Sequence, residues 1–477
     1  MPALRFPEGF SWGVSTSAYQ IEGAVHAGDR GPSIWDTFSH APGRVLHGDT
    51  GDVACDHFHR LEEDLDLLSQ LGTRVYRFSI AWPRIQPRGV GPANEAGLGF
   101  YDRLVDGLLR RGIEPVPTLY HWDLPQALQD RGGWTHRDIV TWFGDYASLL
   151  ARHFAGRVSM WTTINEPWVI AYLGHGLGLH APGIADPGQA AAAHHHLLLA
   201  HAAGLAAIRR VDAAARVGIA LNMSHIYAYS DREADQQAAA LADLQLNASF
   251  LGPLLAGRYP ADMDRLHDRW GDRGGLVQAG DLERIAEPLD FLSVNTYHPR
   301  YICDPAHAVE ARGAGYTGGF AAPFSLGLPF RDIEPPGCPK TDMGWIIEPQ
   351  GLTDLLLRLA AEAPRLPLYI SENGASGADY PDPAGRVADP ERIAYLDGHL
   401  RAALAAIGRG VDLRGYWAWS FLDNFEWGFG YSRRFGLVYV DYPSGRRIPK
   451  HSFAWYREVI ARNGLESSPG LTDPTPP

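Results

Sequence analysis

The stretch SMWTTINEP, residues 159–167, is followed by QAAAAHHHLLLAHAAGLAAIRR at 189–210 and by VGIALNMSHI at 217–226. The first and last stretches are apolar runs of strand length, whereas the middle one has apolar residues at three- and four-residue spacing, as in a helix. A strand, a helix and a second strand in this order require a parallel sheet, because parallel neighbours need a long crossover connection. The segment therefore predicts one unit of an α/β fold.

The same alternation continues through nearly all of the 477 residues. It contains no linker and no shift in composition that would divide it, and eight such units close a (β/α)8 TIM barrel. We therefore expect an α/β fold with a single (β/α)8 domain over residues 1–465 and a disordered tail, rich in proline and polar residues, over 466–477. The predicted strands span residues 10–18, 73–82, 114–123, 159–167, 217–226, 289–298, 367–374 and 413–422.

Long βα loops are expected over the carboxyl-terminal mouth of this barrel, where the active sites of the fold are built. The longest stretch that reads as irregular, residues 299–345, is rich in glycine and proline and follows the sixth strand. A loop of this length is more often functional than idle. We expect it to border the site.

The charge composition argues against several classes of protein. Lys+Arg 42 against Asp+Glu 55 gives a net charge of -13, so neither nucleic acid nor a membrane is predicted as a partner. The two lysines, Lys340 and Lys450, lie beside proline and are both expected at the surface. Schiff-base and pyridoxal chemistry, which need a buried lysine amine, are therefore not expected.

The cysteines and the amino terminus bear on the compartment. Cys55, Cys303 and Cys338 form no CxxC pair, so we expect free thiols rather than disulfides or a thiolate zinc site. The first residues, MPALRFPEGFSWG, lack the apolar core of a secretory signal, and no apolar run has the roughly 18 residues of a membrane span. A cytoplasmic location is predicted, and the oligomeric state is left open.

Histidine clusters give no metal site in this sequence. His57 and His59 spell HxH but precede a helical pattern, so surface or helix-capping roles are expected. His194, His195 and His196 are consecutive on a predicted helix, where neighbouring side chains point in different directions. Nucleotide-binding glycine motifs are missing as well, so we predict neither a metal nor another cofactor.

Two glutamates end predicted strands on different sides of the barrel. Glu166 lies in TINEP at the end of the fourth strand, and Glu372 lies in SENG at the end of the seventh. Both should point into the same mouth, and a pair of carboxyl groups is what glycoside hydrolysis requires. Each glutamate alone could instead cap the following helix or pair with an arginine.

Seven segments resemble glycoside hydrolase family 1, the retaining β-glucosidase family, and the resemblance covers the chain except for its tail. It implies a retaining, exo-acting β-glucosidase that removes terminal non-reducing β-D-glucosyl residues through a covalent glycosyl-enzyme, with some β-galactosidase or β-fucosidase activity. Its substrates would be small β-glucosides and disaccharides, including those from cellulose. The segments are FSWGVSTSAYQIEG, YRFSIAWPRI, PTLYHWDLP, TINEP, SVNTYHPR, ISENG and WSFLDNFEWGFGYSRRFGLVYVD.

The resemblance assigns catalytic roles to five residues. It implies that Glu166 is the general acid/base and Glu372 the nucleophile, with Arg77 and Tyr297 beside the nucleophile and Asn295 next to Tyr297. A neighbouring cation such as Arg77 would keep Glu372 ionised. Burial and a nearby negative charge would keep Glu166 protonated until Glu372 is esterified.

The resemblance also implies a set of sugar-binding residues, each of which could instead be part of the packed core. Planar, often bidentate side chains suit the hydroxyls of a pyranose, and a flat aromatic ring suits its C–H face. The hydroxyl-binding residues would be Gln20, His121, Asn165 and Glu426, with Trp427 beside Glu426. Trp419 would form the floor, Trp168 and Trp345 would line the leaving-group side, and Phe435 would close the pocket.

Three other functions stay open at this point. A 6-phospho-β-glycosidase would need cations for the phosphate, and Arg433 and Arg434 are near, although Glu426 and Phe435 are unsuited to a dianion. A non-catalytic sugar-binding protein on the same scaffold is a second alternative. A metal-dependent barrel hydrolase is a third, which a chelator would identify by loss of activity.

Overall fold

The structure, a computed structural model, describes residues 4–268, 275–311 and 325–467. Eight parallel strands close into a barrel in the order in which they occur along the chain, so the predicted (β/α)8 TIM barrel is confirmed. Every strand overlaps one of the eight predicted stretches. They are β1 Ser11–Ser15, β2 Val75–Ser79, β3 Glu114–Tyr120, β4 Met160–Asn165, β5 Arg216–Asn222, β6 Phe291–Asn295, β7 Leu368–Asn373 and β8 Leu413–Trp419.

Helices follow each strand and pack their apolar faces on the outside of the barrel. The longest one begins at Pro187, and Asp186 caps it by accepting hydrogen bonds from the backbone N–H groups of Gly188 and Gln189. The main helices are α1 Leu61–Leu71, α2 Glu95–Arg110, α3 Ile139–His153, α4 Pro187–Val211, α5 Glu233–Asp243, α6 Gln350–Glu362, α7 Pro390–Gly408 and α8 His451–Arg462. Shorter helices include Ala18–Ile21, Ile34–Ser39, Trp82–Ile85, Gln126–Gln129, Val169–Gly176, Leu244–Ala248, Ser249–Ala256 and Asp281–Ile285.

The strands that carry the two glutamates have irregular ladders near their carboxyl ends. The register of β4 against β5 shifts between Thr162 and Asn165. That of β7 against β6 shifts between Ile370 and Glu372. Such irregularities next to active sites change the direction of side chains, which is the effect needed to turn both carboxyl groups into the mouth.

The connection after β6 is more regular than the sequence indicated. The predicted irregular stretch 299–345 contains the strand Arg300–Cys303, the helix Pro305–Ala311 and the short strand Arg331–Asp332. Arg300–Cys303 lies between Ile226–Ala228 and Arg331–Asp332 in a small sheet. Residues 312–324 of the stretch lie outside the described residues.

The two ends of the described chain are joined at the base of the barrel. Leu4–Arg5 pairs antiparallel with Gly464–Leu465, and a hairpin of Val438–Asp441 and Arg446–Pro449 precedes α8. Residues 468–477 of the predicted disordered tail are outside the described residues. Among the helices that the structure describes, none has the length and apolar character needed to cross a membrane.

Two predictions about charged side chains are wrong. Lys450 is not a surface lysine but is 1% exposed, because Asp379 and Asp423 surround its ammonium group. His57 is buried as well, with Nδ1 2.7 Å from Asp64 Oδ2. In both cases carboxylates compensate the burial, from Asp379 and Asp423 far away in the chain for Lys450 and from the nearby Asp64 for His57.

The other histidine and lysine predictions are confirmed. Lys340 is exposed and pairs with Glu334, and His59 is exposed. The three histidines of α4 diverge: His194 bonds to Ser249 O, His195 to Asp281 and His196 to Trp134 O. The three cysteines, all among the described residues, form no disulfide, and Cys55 and Cys303 are buried.

Candidate active site

A cavity of about 420 Å³ opens at the carboxyl ends of the barrel strands. Gln20, Arg77 and Asn165 are buried behind its wall. The other predicted site residues line it, namely His121, Glu166, Trp168, Asn295, Tyr297, Trp345, Glu372, Trp419, Glu426, Trp427 and Phe435. The structure thus gathers residues that are up to 415 positions apart in the chain around one space.

Arg77 is held rigidly by three acceptors inside the barrel. Its Nη1 lies 2.5 Å from Glu372 Oε1, its Nη2 donates to Asn165 Oδ1 at 2.6 Å, and its Nε donates to Thr118 Oγ1 at 3.1 Å. The guanidinium is fully buried. Since all of its nitrogens are used, Arg77 fixes both the position and the electrostatic surroundings of Glu372.

Glu372 receives further hydrogen bonds on the side of the cavity. The Tyr297 hydroxyl donates to its Oε2 at 2.8 Å. Burial raises the pKa of Glu372 above its ordinary value, while Arg77, Tyr297 and Asn295 oppose that rise. The cation expected from the sequence is therefore in contact, but it does not cancel the effect of burial.

Glu166 has a different environment. The Nδ2 of Asn295 donates to its Oε1 at 2.7 Å, and Ser371 fixes Asn295 by donating to Asn295 Oδ1 at 2.6 Å. Burial and, next, the charge of Glu372 raise the pKa of Glu166 to about 8. Glu166 contacts a neutral amide, whereas Glu372 contacts a guanidinium that stabilises its ionised form. The proton shared by the two carboxyl groups therefore resides on Glu166.

This arrangement provides a proton donor and an ionised carboxylate in one enclosed space. A neutral carboxyl group can protonate a leaving oxygen, and a carboxylate held by Arg77 can attack or stabilise a developing cation. Glu166 also adopts a φ of 49°, in the left-handed region. Backbone strain of this kind concentrates at functional sites, where the surrounding structure maintains it.

The contacts of Asn165 determine which nitrogen of His121 carries a proton. Because Asn165 Oδ1 accepts from Arg77 and Asn295, its Nδ2 is the group that lies 3.1 Å from His121 Nε2. Burial and Arg77 lower the pKa of His121 well below its ordinary value, so the ring is neutral and Nε2 accepts. The proton is then on Nδ1, which has no hydrogen-bond partner among the described residues. His121 therefore presents a donor at the cavity wall.

Glu426 presents a third carboxyl group to the cavity. Its Oε2 is buried and has no hydrogen-bond partner in the described part of the chain. Burial and, secondly, the charge of Glu372 raise its pKa to about 8. A buried polar atom without a partner is costly, and a ligand hydroxyl would satisfy it.

Gln20 supports the segment of Glu426 rather than lining the cavity. Its Nε2 donates to Phe425 O at 2.8 Å and to Asn424 Oδ1 at 3.0 Å, while its Oε1 accepts from Ser17. In this conformation the amide fixes the backbone just before Glu426. Direct contact of Gln20 with a sugar stays a prediction.

Aromatic rings contribute several parts of the remaining wall. Trp345 packs against Tyr297 and Phe435, with ring centroids 5.1 and 6.0 Å apart, respectively. Trp419 and Trp427 stack near His121, at 6.1 and 6.0 Å. Rings on two sides of a cavity that also contains carboxyl groups suit a ligand with both C–H faces and hydroxyls.

Several residues of the site were not predicted from the sequence. Trp122 lines the cavity with a φ of 80° and donates to Asn165 O at 2.9 Å, and it directly follows the predicted His121. His180 and Asn222 also line the cavity, and each has a buried side-chain atom without a partner among the described residues. Asn222 is the last residue of β5, and its position at a strand end could have identified it as a candidate site residue. His180 carries no local signal.

The described residues contain no group of three or more His, Cys, Asp and Glu side chains that could hold a metal ion.

Comparison with known proteins identifies the family of the chain. The family model described as glycosyl hydrolase family 1 matches residues 3–465. Beta-glucosidase A from Acetivibrio thermocellus is 44% identical over 466 residues, which cover 98% of this chain and 100% of that protein. A bifunctional β-D-glucosidase/β-D-fucosidase from Bifidobacterium breve is 45% identical over 468 residues, with coverages of 96% and 98%.

A similar structure has also been solved with a sugar mimic. The β-glucosidase from Thermotoga maritima in complex with glucoimidazole aligns with a TM-score of 0.90 and 43% identity. The alignment covers 97% of this chain and 100% of that one.

Proposed function

Because the chain belongs to glycosyl hydrolase family 1, we propose that it is a retaining, exo-acting β-glucosidase that removes terminal non-reducing β-D-glucosyl residues. One observation carries the proposal: Glu166 and Glu372 face the same cavity with unequal partners. Glu372 is paired with Arg77, whereas Glu166 contacts the neutral Asn295 amide. Unequal surroundings give two like residues the different protonation states that this chemistry needs.

In the first step Glu372 attacks the anomeric carbon while Glu166 donates its proton to the glycosidic oxygen. The bond between that carbon and the leaving oxygen breaks, an ester to Glu372 forms, and the aglycone departs as an alcohol. Arg77 and Tyr297 bond to the two oxygens of Glu372 and orient one of them for attack. The positive charge that develops on the sugar is stabilised by the same carboxylate.

In the second step a water molecule replaces the aglycone. The charge of Glu372, one cause of the raised pKa of Glu166, is lost in the ester, so the pKa of Glu166 falls. Glu166, now ionised, takes a proton from the water, whose oxygen attacks the anomeric carbon and releases Glu372. Two displacements at one carbon give net retention of the β-configuration.

The cavity wall supports recognition of a single terminal glucose. We assign the C4 and C6 hydroxyls to Glu426, whose Oε2 lacks a partner among the described residues, and a further hydroxyl to the Nδ1–H of His121. Trp419 provides the apolar floor, and Trp168 and Trp345 border the aglycone. Small β-glucosides and disaccharides, including those from cellulose, are the proposed substrates. The cytoplasmic location stays a prediction.

A phosphate at C6 would meet an unsuitable environment. Neither Glu426 nor Phe435 supplies a positive charge, and the nearby Arg433 and Arg434 are already paired with Asp342 at 3.5 Å and with Asp423 at 2.7 Å. We therefore expect 4-nitrophenyl β-glucoside to be hydrolysed faster than its 6-phosphate ester. Faster turnover of the phosphorylated compound would support the 6-phospho-β-glycosidase alternative instead.

Proton NMR of the reaction tests the function itself. With 4-nitrophenyl β-D-glucoside we expect β-glucose to appear first and to mutarotate later, and Glu372→Gln should eliminate turnover. Release of α-glucose would contradict retention, and binding without turnover would favour a sugar-binding protein. Parallel rates on the galactoside and the fucoside measure the proposed side activities, of which the second is supported by the name of the Bifidobacterium breve relative.

A further inference from the structure

Lys450 is a buried cation at the start of α8 that the catalytic steps do not use. Its Nζ lies 2.5 Å from Asp379 Oδ2 and 2.6 Å from Asp423 Oδ1, and its side chain is fully buried. Asp379 belongs to the connection after β7 and Asp423 to the connection after β8. Lys450 thus joins three segments that meet beside the mouth of the barrel.

Asp423 closes the base of the loop that carries five of the residues lining the cavity. Its Oδ1 also accepts the backbone N–H of Gly436 at 2.9 Å, and its Oδ2 accepts from Arg434 Nη1 at 2.7 Å. One carboxylate therefore joins the beginning of segment 423–436 to its end. This segment, called the sugar loop below, contains Glu426, Trp427 and Phe435.

The approach of the two ends of the sugar loop is very close. A Cβ atom on Gly436 would lie 2.0 Å from the backbone nitrogen of Asp423, so a larger residue does not fit. Arg392 extends the same contact network, because its Nη2 donates both to Asp379 Oδ2 at 2.6 Å and to Arg434 O at 2.8 Å. The position of the loop is thus determined by side chains that do not line the cavity.

The network is balanced in charge. Lys450, Arg392 and Arg434 alternate with Asp379, Asp389 and Asp423, and Arg392 pairs with Asp389 as well as with Asp379. Although burial alone would raise the pKa of Asp379, Lys450 and Arg392 hold it below its ordinary value. Removing one cation would leave a buried carboxylate without its partner, and Asp423 would have to move or be hydrated.

We propose that Lys450 is a positioning residue for sugar recognition, which holds Glu426 at the C4 and C6 hydroxyls by fixing Asp423 at the base of the sugar loop. The inference rests on the proposed function, because it assumes that Glu426 binds the sugar. Among the described residues, no hydrogen bond or ion pair joins this network directly to Glu166, Glu372 or Arg77. The network reaches the strand of Glu372 only beyond its end, where Ala375 O accepts from Arg392 and Asp379 pairs with Lys450. Lys450 therefore acts on recognition of the terminal sugar more than on the chemistry at the anomeric carbon.

The test compares Lys450→Met with wild type on two substrates, 4-nitrophenyl β-D-glucoside and its 6-deoxy analogue. We expect KM for the glucoside to rise about tenfold with little change in kcat, because a change of this size corresponds to the loss of one hydrogen bond to a carboxyl group. The kcat/KM ratio of glucoside to 6-deoxyglucoside should fall about tenfold, toward one. An unchanged ratio, or a loss confined to kcat, would overturn the inference.

Asp281→Asn is the matched control. Asp281 is equally buried and pairs with Arg137 and His195, and none of the three lines the cavity, so the substitution also removes a buried carboxylate from its partners. We expect this variant to lower thermal stability without changing the substrate ratio. If both variants change the ratio equally, the effect is one of general destabilisation and the inference is wrong.

A second variant covers the case in which Lys450→Met does not fold. Asp379→Asn keeps the ammonium group and Asp423 but removes the charge of one partner of Lys450. It should also raise KM with little change in kcat and lower the substrate ratio, but by less than Lys450→Met. A normal ratio in folded Asp379→Asn would contradict the inference. Wild-type hydrolysis of the glucoside is scored separately, so failure of the proposed function is distinguishable from failure of the positioning role.

Discussion

Replacing Glu166 with glutamine removes the proposed proton donor with little change in side-chain shape. The hydrogen bond from Asn295 Nδ2 to Glu166 Oε1, 2.7 Å long, can be accepted by the glutamine carbonyl as well. We therefore expect the fold and the binding of sugar to survive. What is lost is the proton that the leaving oxygen needs.

The size of the effect follows from the surroundings of Glu166. Its pKa of about 8 means that the group is protonated in nearly all molecules at pH 6, in about half at pH 8 and in about one tenth at pH 9. General acid catalysis contributes about 10²–10⁴-fold. We expect kcat/KM of Glu166→Gln on 4-nitrophenyl β-glucoside to fall by a factor in this range at pH 6.

The assay is kcat/KM between pH 5 and 10 with two leaving groups, 4-nitrophenol and 2,4-dinitrophenol. In the wild type, kcat/KM should decrease above pH 8, because the first step needs protonated Glu166 and this ratio reports the free enzyme. In Glu166→Gln that decrease should be absent. The dinitrophenyl substrate should lose much less activity, since its leaving group departs without a proton. Equal losses on both substrates at pH 6 would refute the assignment.

Three further outcomes are expected. Burial gives Glu166 a higher pKa in the folded state than in the unfolded one, so the stability of the wild type falls as pH rises from about 4.5 to about 8. Glu166→Gln should therefore increase the free energy of unfolding by about a few kcal/mol at pH 9, measured as a higher Tm, and hardly change it at pH 4.5. Equal differences in Tm at both pH values would contradict this. Tyr297→Phe removes the 2.8 Å hydrogen bond to Glu372, so the pKa of that carboxyl group should rise and the acid limb of the pH profile of kcat/KM should move to higher pH. An acid limb at the same pH as in the wild type would show that the bond does not stabilise the carboxylate. Gly374→Ala would bring a Cβ atom within 1.7 Å of Trp419 O and should lower the free energy of unfolding by about 1–3 kcal/mol in urea titrations. A decrease of less than about 0.5 kcal/mol would contradict this prediction.

The barrel and most of the site could be predicted because their signals are local. The eight strands are apolar runs separated by amphipathic helices, and polar residues such as Glu166 and Glu372 occur where those runs end. Parallel strands bring their carboxyl ends to one mouth, so residues at such ends could be combined before any contact was known. His121 and Asn295 also lie at strand ends, but their roles were implied by the resemblance to glycoside hydrolase family 1.

The remaining features depend on contacts between distant segments. Lys450 looked like a surface lysine because Asp379 and Asp423, which make its burial possible, lie 71 and 27 positions away. No periodicity of the sequence reports such a pairing. The protonated nitrogen of His121 likewise follows from Arg77, which is 44 positions away and acts through Asn165.

The assignment of Glu372 as the nucleophile is the central claim, and trapping of the covalent intermediate tests it most directly. The enzyme is incubated with 2,4-dinitrophenyl 2-deoxy-2-fluoro-β-D-glucoside, digested and analysed by tandem mass spectrometry. We expect time-dependent inactivation and one 2-deoxy-2-fluoroglucosyl ester on Glu372. A label on Glu166, Glu426 or any other side chain, or inactivation with no ester at all, would contradict the account.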